Sequence, residues 1–88
     1  MEIWKFPIPE RAFGSVFAEI KMPSGAEILC VQMQNGEPMI WATVNPEADR
    51  EERLFTVIGT GQEFAGTSMK YIGTYQKNWF VGHVFELT

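Results

Sequence analysis

The side chains able to move a proton or hold an ion are few in this chain. His83 is the only histidine and Cys30 the only cysteine among 88 residues. An imidazole can act as a general base, but a base needs a nucleophile or a second acid placed against it, and no sequence neighbour of His83 supplies one. His83 therefore reads as a strand histidine, its ring packed or hydrogen-bonded within Phe80-Val81-Gly82-His83-Val84-Phe85. Cys30 lies between Leu29 and Val31 with no cation or helix start beside it, so it reads as a small buried hydrophobe rather than a reactive thiolate. Glu51 and Glu52, the adjacent pair among the eleven carboxylates, would point to opposite faces of a strand. No carboxylate pair has the local spacing that glycoside hydrolysis or metal binding demands. These residues point away from catalysis, and no metal or cofactor is expected.

Binding chemistry has better candidates. Gly59-Thr60-Gly61-Gln62 follows an apolar segment, and glycine there would let backbone N–H groups approach an anion. The segment lacks the lysine of a P-loop and a following helix, and a plain turn needing positive φ is the simpler reading. Arg50 and Arg53 flank the chain's one polar run and suit bidentate phosphate contacts. Trp41 could stack on a base, although most tryptophans in so small a protein belong to the core. Of Trp4, Trp41 and Trp79, at least one is expected to be partly exposed and used in recognition. The candidate ligand-binding set is thus Arg50, Arg53, Gly59, Thr60, Gly61 and Trp41.

Composition narrows the partners. The net charge is −4, and the seven Lys and Arg residues are scattered, so duplex nucleic acid is excluded as a partner. A small nucleotide needs only one or two cations and remains open. The N-terminus lacks the basic and apolar regions of a signal peptide, no apolar run could span a bilayer, and a lone thiol fits a reducing cytosol. The chain is 45% apolar, with three Trp, seven Phe and two Tyr, which argues for a real core and against disorder.

The elements that must position these residues read as β throughout. Short apolar segments are separated by Gly, Pro and Asn, with no internal repeat and no linker, so residues 1–88 form one domain. Trp4, Phe6 and Ile8 alternate in a first strand that Pro7 and Pro9 mark as an edge. Ser15 to Met22 alternates, with Val16, Ala18, Ile20 and Met22 on one face, before the turn Pro23-Ser24-Gly25. Ala26 to Gln34 puts Leu29, Val31 and Met33 on one face. Asn35-Gly36 predicts a type I′ hairpin to Glu37–Val44, with Ile40, Ala42 and Val44 opposite Met39 and Trp41. Asn45 to Arg53 reads either as a solvated loop or as two turns of helix, capped by Asn45-Pro46 with Asp49 and Arg53 paired. Leu54 to Ile58 is a strand. Met69–Tyr75 and Trp79–Leu87 form a final hairpin around Gln76-Lys77-Asn78.

About seven strands with at most one short helix predict a small antiparallel sheet, barrel-like or sandwich. The last two strands are apolar on both faces: Tyr71 and Tyr75 oppose Ile72, and Trp79, Val81, Phe85 and Leu87 alternate with Phe80 and Val84. Either a partner covers the second face, most simply another copy of the chain, or the sheet curls over its own aromatics.

The whole chain resembles a family of small proteins from tailed bacteriophages and prophages. Its opening Met1-Glu2-Ile3-Trp4-Lys5-Phe6-Pro7-Ile8-Pro9 carries the likeness, with Met22-Pro23-Ser24-Gly25-Ala26-Glu27-Ile28-Leu29 and Asn35-Gly36-Glu37-Pro38-Met39-Ile40-Trp41-Ala42. Val57-Ile58-Gly59-Thr60-Gly61 and His83-Val84-Phe85-Glu86 complete it. The resemblance brings no catalytic motif. It implies an accessory phage protein in the bacterial cytoplasm, of a kind that opposes host defence. The expectation is a non-enzymatic homo-oligomer that sequesters a small anionic host molecule, such as a cyclic nucleotide or an ADP-ribose-like signal. The alternatives are an inhibitor that binds a host defence protein, or a virion or morphogenesis component.

Overall fold

A computed structural model describes residues 1–14 and 16–88. Its strands are β1 (Glu2–Pro7), β2 (Ala18–Pro23), β3 (Glu27–Gln34), β4 (Glu37–Val44), β5 (Arg50–Gly59), β6 (Met69–Lys77) and β7 (Phe80–Leu87), with one 3₁₀ turn at Glu10–Ala12. They form two antiparallel sheets, ordered β1-β4-β3 and β2-β5-β7-β6. The sheets face each other as a sandwich and do not close into a barrel. The mostly-β expectation holds, with seven strands.

The inner faces supply the core. Ile40, Ala42 and Val44 on β4 meet Phe55 and Val57 on β5 and Val84 on β7, with Ala18, Ile20 and Met22 closing one side. The alternation read for β2 and β4 is thus the buried pattern. Asn35 and Gly36 both have positive φ, as the predicted type I′ turn requires.

Where the sequence reading and the structure part, long-range pairing decides. The optional helix after Asn45 does not form. Asn45 instead closes a turn through its own side chain and carbonyl, accepting from Glu47 N and Ala48 N. Arg50 to Phe55 then pairs with β2, placing Glu52 opposite Lys21 and Arg53 opposite Ile20. The Asp49–Arg53 pairing is lost with the helix. A β-bulge between Ile28 and Cys30 turns Leu29 outward, 53% exposed, so it does not share a face with Val31. Val16 precedes β2 and is also exposed, and Ser15, read as the start of that strand, lies outside the described residues. The last turn is Asn78-Trp79, so Trp79 stands in the turn rather than opening a strand.

A second bulge, between Tyr71 and Gly73, sends Tyr75 into the core while Tyr71 stays outside, and so corrects the expectation that both oppose Ile72. It also sets Gly73 against β3. A Cβ at Gly73 would sit 3.1 Å from Val31 Cβ, so a side chain here would require Val31 to give by a few tenths of an ångström.

The sheets are stapled at their other end by Arg53. Its Nε and Nη2 donate to the two carboxylate oxygens of Glu86 at 2.6 and 2.8 Å, and its Nη1 donates to Ala26 O at 2.6 Å. Hydrogen bonding to Glu86 raises the pKa of Arg53 above its ordinary value, against the opposing effect of burial. Beside it, Ser24 N donates to Asp49 O and Gly25 N to Glu51 Oε2, joining the two chain segments that cross between sheets.

Two stability predictions follow from these contacts. Glu86→Gln removes the charge that holds a largely buried guanidinium and is expected to cost about 2 kcal/mol in urea unfolding. The hydroxyl of Tyr75 is buried without a hydrogen-bond partner among the described residues. Tyr75→Phe is therefore expected to leave stability at neutral pH unchanged or raised by about 1 kcal/mol. Burial, reinforced by the Glu37 carboxylate, pushes the Tyr75 phenol up to about 12. Its neutral form is favoured in the folded state, so that contribution is complete below the ordinary value of 10.0 and is lost as pH rises toward about 12. Unfolding curves across this range should fall more steeply for the wild type than for Tyr75→Phe.

Candidate functional site

The outer face of the second sheet carries the densest group of polar and aromatic side chains. β7 alternates, so Val81, His83, Phe85 and Leu87 point outward while Gly82, Val84 and Glu86 are buried. Thr74 lies opposite His83, and Tyr71 opposite Phe85. Tyr71 and Thr74 are three residues apart and would take opposite faces of a regular strand. The bulge at Ile72 puts both on the outer face. From the other side, β5 delivers Ile58 opposite His83 and then turns through Gly59–Gln62.

These elements assemble one hydrogen-bonded chain. Thr60 Oγ1 is 2.7 Å from His83 Nε2, His83 Nδ1 is 3.0 Å from Thr74 Oγ1, and Thr74 Oγ1 is 2.6 Å from Tyr71 Oη. Both ring nitrogens thus meet hydroxyls, and no carboxylate orients the ring. Above the chain lies an open cleft of about 250 Å³, walled by Phe64, Tyr71 and Phe85 and floored by His83, Thr60 and the turn glycines. The Phe64 and Tyr71 rings lie 5.3 and 5.7 Å from that of Phe85. Among the described residues, no Lys, Arg, Asp or Glu lines the cleft.

The residues read from sequence as binding candidates divide among separate places. Gly59, Thr60 and Gly61 line this cleft. Their turn is not an open anion cradle: Gly59 N donates to Gln62 Oε1 at 2.9 Å and Thr60 N to Val81 O at 3.3 Å. Gly61, with φ +89°, closes the turn. Arg53 is spent on the inner face in the Glu86 staple. Arg50 lies over the Trp4 ring at 5.3 Å and donates to Ala48 O and Pro46 O. Trp41 sits on the other sheet, half-buried, with Lys5 Nζ 5.9 Å from its ring centre. The structure does not bring Arg50, Arg53 and Trp41 to the glycine turn.

His83, Tyr71, Thr74, Phe64 and Phe85 are the residues that sequence reasoning passed over as a site. The outward alternation of His83 with Phe85 was visible. The bulge that brings Tyr71 and Thr74 to it carries no sequence signal. Cys30 is half-exposed on β3 of the other sheet. Among the described residues no three of His, Cys, Asp and Glu gather to hold a metal, and no helix is long and apolar enough to cross a membrane.

On the far side of the Gly59–Gln62 turn stands Trp79, 89% exposed. Its indole meets Phe80 edge-on at 6.2 Å, and Phe80 stacks on Phe13 at 5.8 Å. The expectation of an exposed tryptophan is met here.

Fold and site together define a small antiparallel β-sandwich with an aromatic-walled cleft on the outside of its larger sheet. The chain belongs to the family described as Domain of unknown function (DUF7352), whose model matches residues 1–88. No curated protein and no solved structure matches it.

The turn position of Trp79 gives a direct check. Trp79→Ala is expected to change stability by no more than about 0.5 kcal/mol, since the ring covers little of the core. It should also remove most of the fluorescence that acrylamide can quench, because Trp4 and Trp41 are half-buried.

Proposed function

We propose that this domain is a non-catalytic binding module that captures a small molecule in the His83 cleft. The observation that carries the reading is the union of three aromatic walls with a hydroxyl–imidazole floor in one open cleft. Ligand sites commonly combine apolar walls with a few placed polar groups. Absence of charge in the lining moves the emphasis from phosphate to ring: an anionic nucleotide would insert its base and leave its phosphates in water. His83 meets two threonine hydroxyls but has no orienting carboxylate beside it, which favours capture over turnover. On the resemblance to bacteriophage accessory proteins, the capture would take place in a bacterial cytoplasm, where sequestering a host signal would blunt a defence response.

Calorimetry against cyclic dinucleotides and ADP-ribose tests the proposal. Binding of one of these ligands is expected, with Tyr71→Ala weakening it about tenfold, the scale of a lost stacking contact, and Arg50→Ala leaving it unchanged. Retained affinity in Tyr71→Ala with loss in Arg50→Ala would move the site to the cationic turn and overturn the cleft.

A second reading, direct binding of a protein, rests on Trp79. An exposed tryptophan braced by Phe80 and Phe13 on a tight turn has the character of an interface anchor. If that partner is another copy of the chain, sedimentation at low micromolar concentration should show a dimer or larger species that Trp79→Ala dissociates. A monomer in both forms rules out self-association through this turn.

A further inference from the structure

The polarity of the cleft follows from proton counting along its hydrogen-bonded chain. A hydroxyl has one proton to give, and a neutral imidazole has one N–H and one lone pair. Two arrangements in which Thr74 passes its own proton along the chain satisfy every link between Thr60, His83, Thr74 and Tyr71, and a third, with Thr74 accepting from both Nδ1–H and Tyr71, turns the Thr74 proton outward and leaves only lone pairs at both ends. In the first, Tyr71 donates to Thr74, Thr74 donates to Nδ1, and Nε2–H donates to Thr60, whose own proton is left to point outward. In the second, Thr60 donates to Nε2, Nδ1–H donates to Thr74, Thr74 donates to Tyr71, and the phenol proton points outward. In the two relayed arrangements one end of the chain offers a donor while the other end offers only lone pairs. The two ends exchange roles together when the imidazole changes tautomer. Thr60 and Tyr71 are both exposed, so both ends face the cleft opening.

Resting on the small-molecule reading above, we propose that the cleft selects an uncharged planar heterocycle with a hydrogen-bond acceptor at one edge and a donor at another. This is the chemistry of a lactam-bearing nucleobase. The flat walls of Phe64, Tyr71 and Phe85 favour a ring over a sugar or a phosphate, since aromatic faces stack on any base. The uncharged lining gives a phosphate no counter-ion. The reversible chain accepts such a ring in either orientation. A ring with acceptors only leaves one donor-seeking oxygen of the cleft without a partner, and that mismatch is what discriminates. His83 acts in this scheme as a positioning residue, because its tautomer sets which end donates.

The test is an NMR titration of the full chain with uridine, 3-methyluridine, inosine, 1-methylinosine and ribose 5-phosphate. It follows the amides of residues 59–62, 71–74 and 81–85 and the ring nitrogens of His83. Uridine or inosine should perturb the cleft and shift the His83 nitrogens toward a single tautomer. The matching N-methylated nucleoside, which lacks the ring N–H, should bind about fivefold more weakly. Thr60→Val, which removes one end of the chain at an exposed position, should abolish that preference. Equal affinity of the methylated and unmethylated nucleosides in the wild type would overturn the proposed selection. Cleft shifts with ribose 5-phosphate as large as those with the nucleosides would overturn the ring class while leaving small-molecule capture standing. If none of the five compounds shifts the cleft at millimolar concentration, this proposal falls. The small-molecule reading itself falls only if the cyclic dinucleotides and ADP-ribose also fail.

Discussion

A single arginine ties the two sheets of this sandwich together. The Arg53 fork meets both oxygens of Glu86 on β7, and its remaining nitrogen reaches Ala26 O at the start of the other sheet. The geometry is strong because both partners are largely withdrawn from water, with side-chain exposures of 19% and 11%. A charged pair in such a place is weak evidence of net stabilisation, since desolvation opposes the Coulomb gain. Its consequence is registry. With Arg53 facing inward, Phe55, Val57 and Gly59 share its face, and Thr56 and Ile58 take the other, where they are covered, just before the turn that carries Thr60. The staple at one end of β5 thus fixes which residues reach the cleft at the other.

The second determinant is backbone irregularity. A regular β6 would separate Tyr71 from Thr74 by the thickness of the sheet. The extra residue Ile72 brings them to one face, next to His83 and Phe85. The same bulge sets Gly73 against Val31, where a Cβ would crowd the valine at 3.1 Å. Closing the sandwich and building the cleft are therefore one structural event on opposite faces of the same strand. This also accounts for strands apolar on both faces: the inner row completes the core, and the outer row walls the cleft, where Phe64 from the segment after β5 covers Phe85.

Much of this was legible from sequence, and the reason is the period. Wherever a strand is regular, alternation gives its buried face, as in Ala18-Ile20-Met22 and Ile40-Ala42-Val44, and Asn35-Gly36 dictates its own turn. Bulges break that reading. Leu29 and Tyr71 each fell on the wrong face, because an inserted residue leaves no mark in hydrophobicity. Arg53 shows a different limit. The carboxylate one helical turn before it, Asp49, suggested a helix, while its real partner lies 33 residues away. Local spacing cannot see such a pairing, so a structural cation looked like a ligand for phosphate. For the cleft, the glycine turn was visible as a candidate but its chemistry was not. Gly59 and Thr60 amides serve the fold, and the groups that face outward come from threonine, tyrosine and the histidine first set aside.

The division between the faces of the second sheet also bears on what kind of ligand the domain could have been built to hold. The inner face spends its charges internally, in Arg53 and Glu86. Elsewhere Arg11 pairs with Glu19, Lys77 with Glu37, and Arg50 folds over Trp4. Arg53 cannot turn to a phosphate without breaking its staple, and the exposed Arg11 and Lys77 pairs lie outside the cleft. Lys21 and Lys70 are exposed but do not line the cleft, and what the cleft itself offers is neutral: hydroxyls, one imidazole and aromatic faces. Neutral groups discriminate by the direction of their hydrogen bonds, and a wrongly matched donor or acceptor is penalised more than a matched one is rewarded. A protein with few free charges can therefore still be selective, provided its hydroxyls are held in place. Here the imidazole holds them from both sides, and the β6 bulge holds the imidazole's partner.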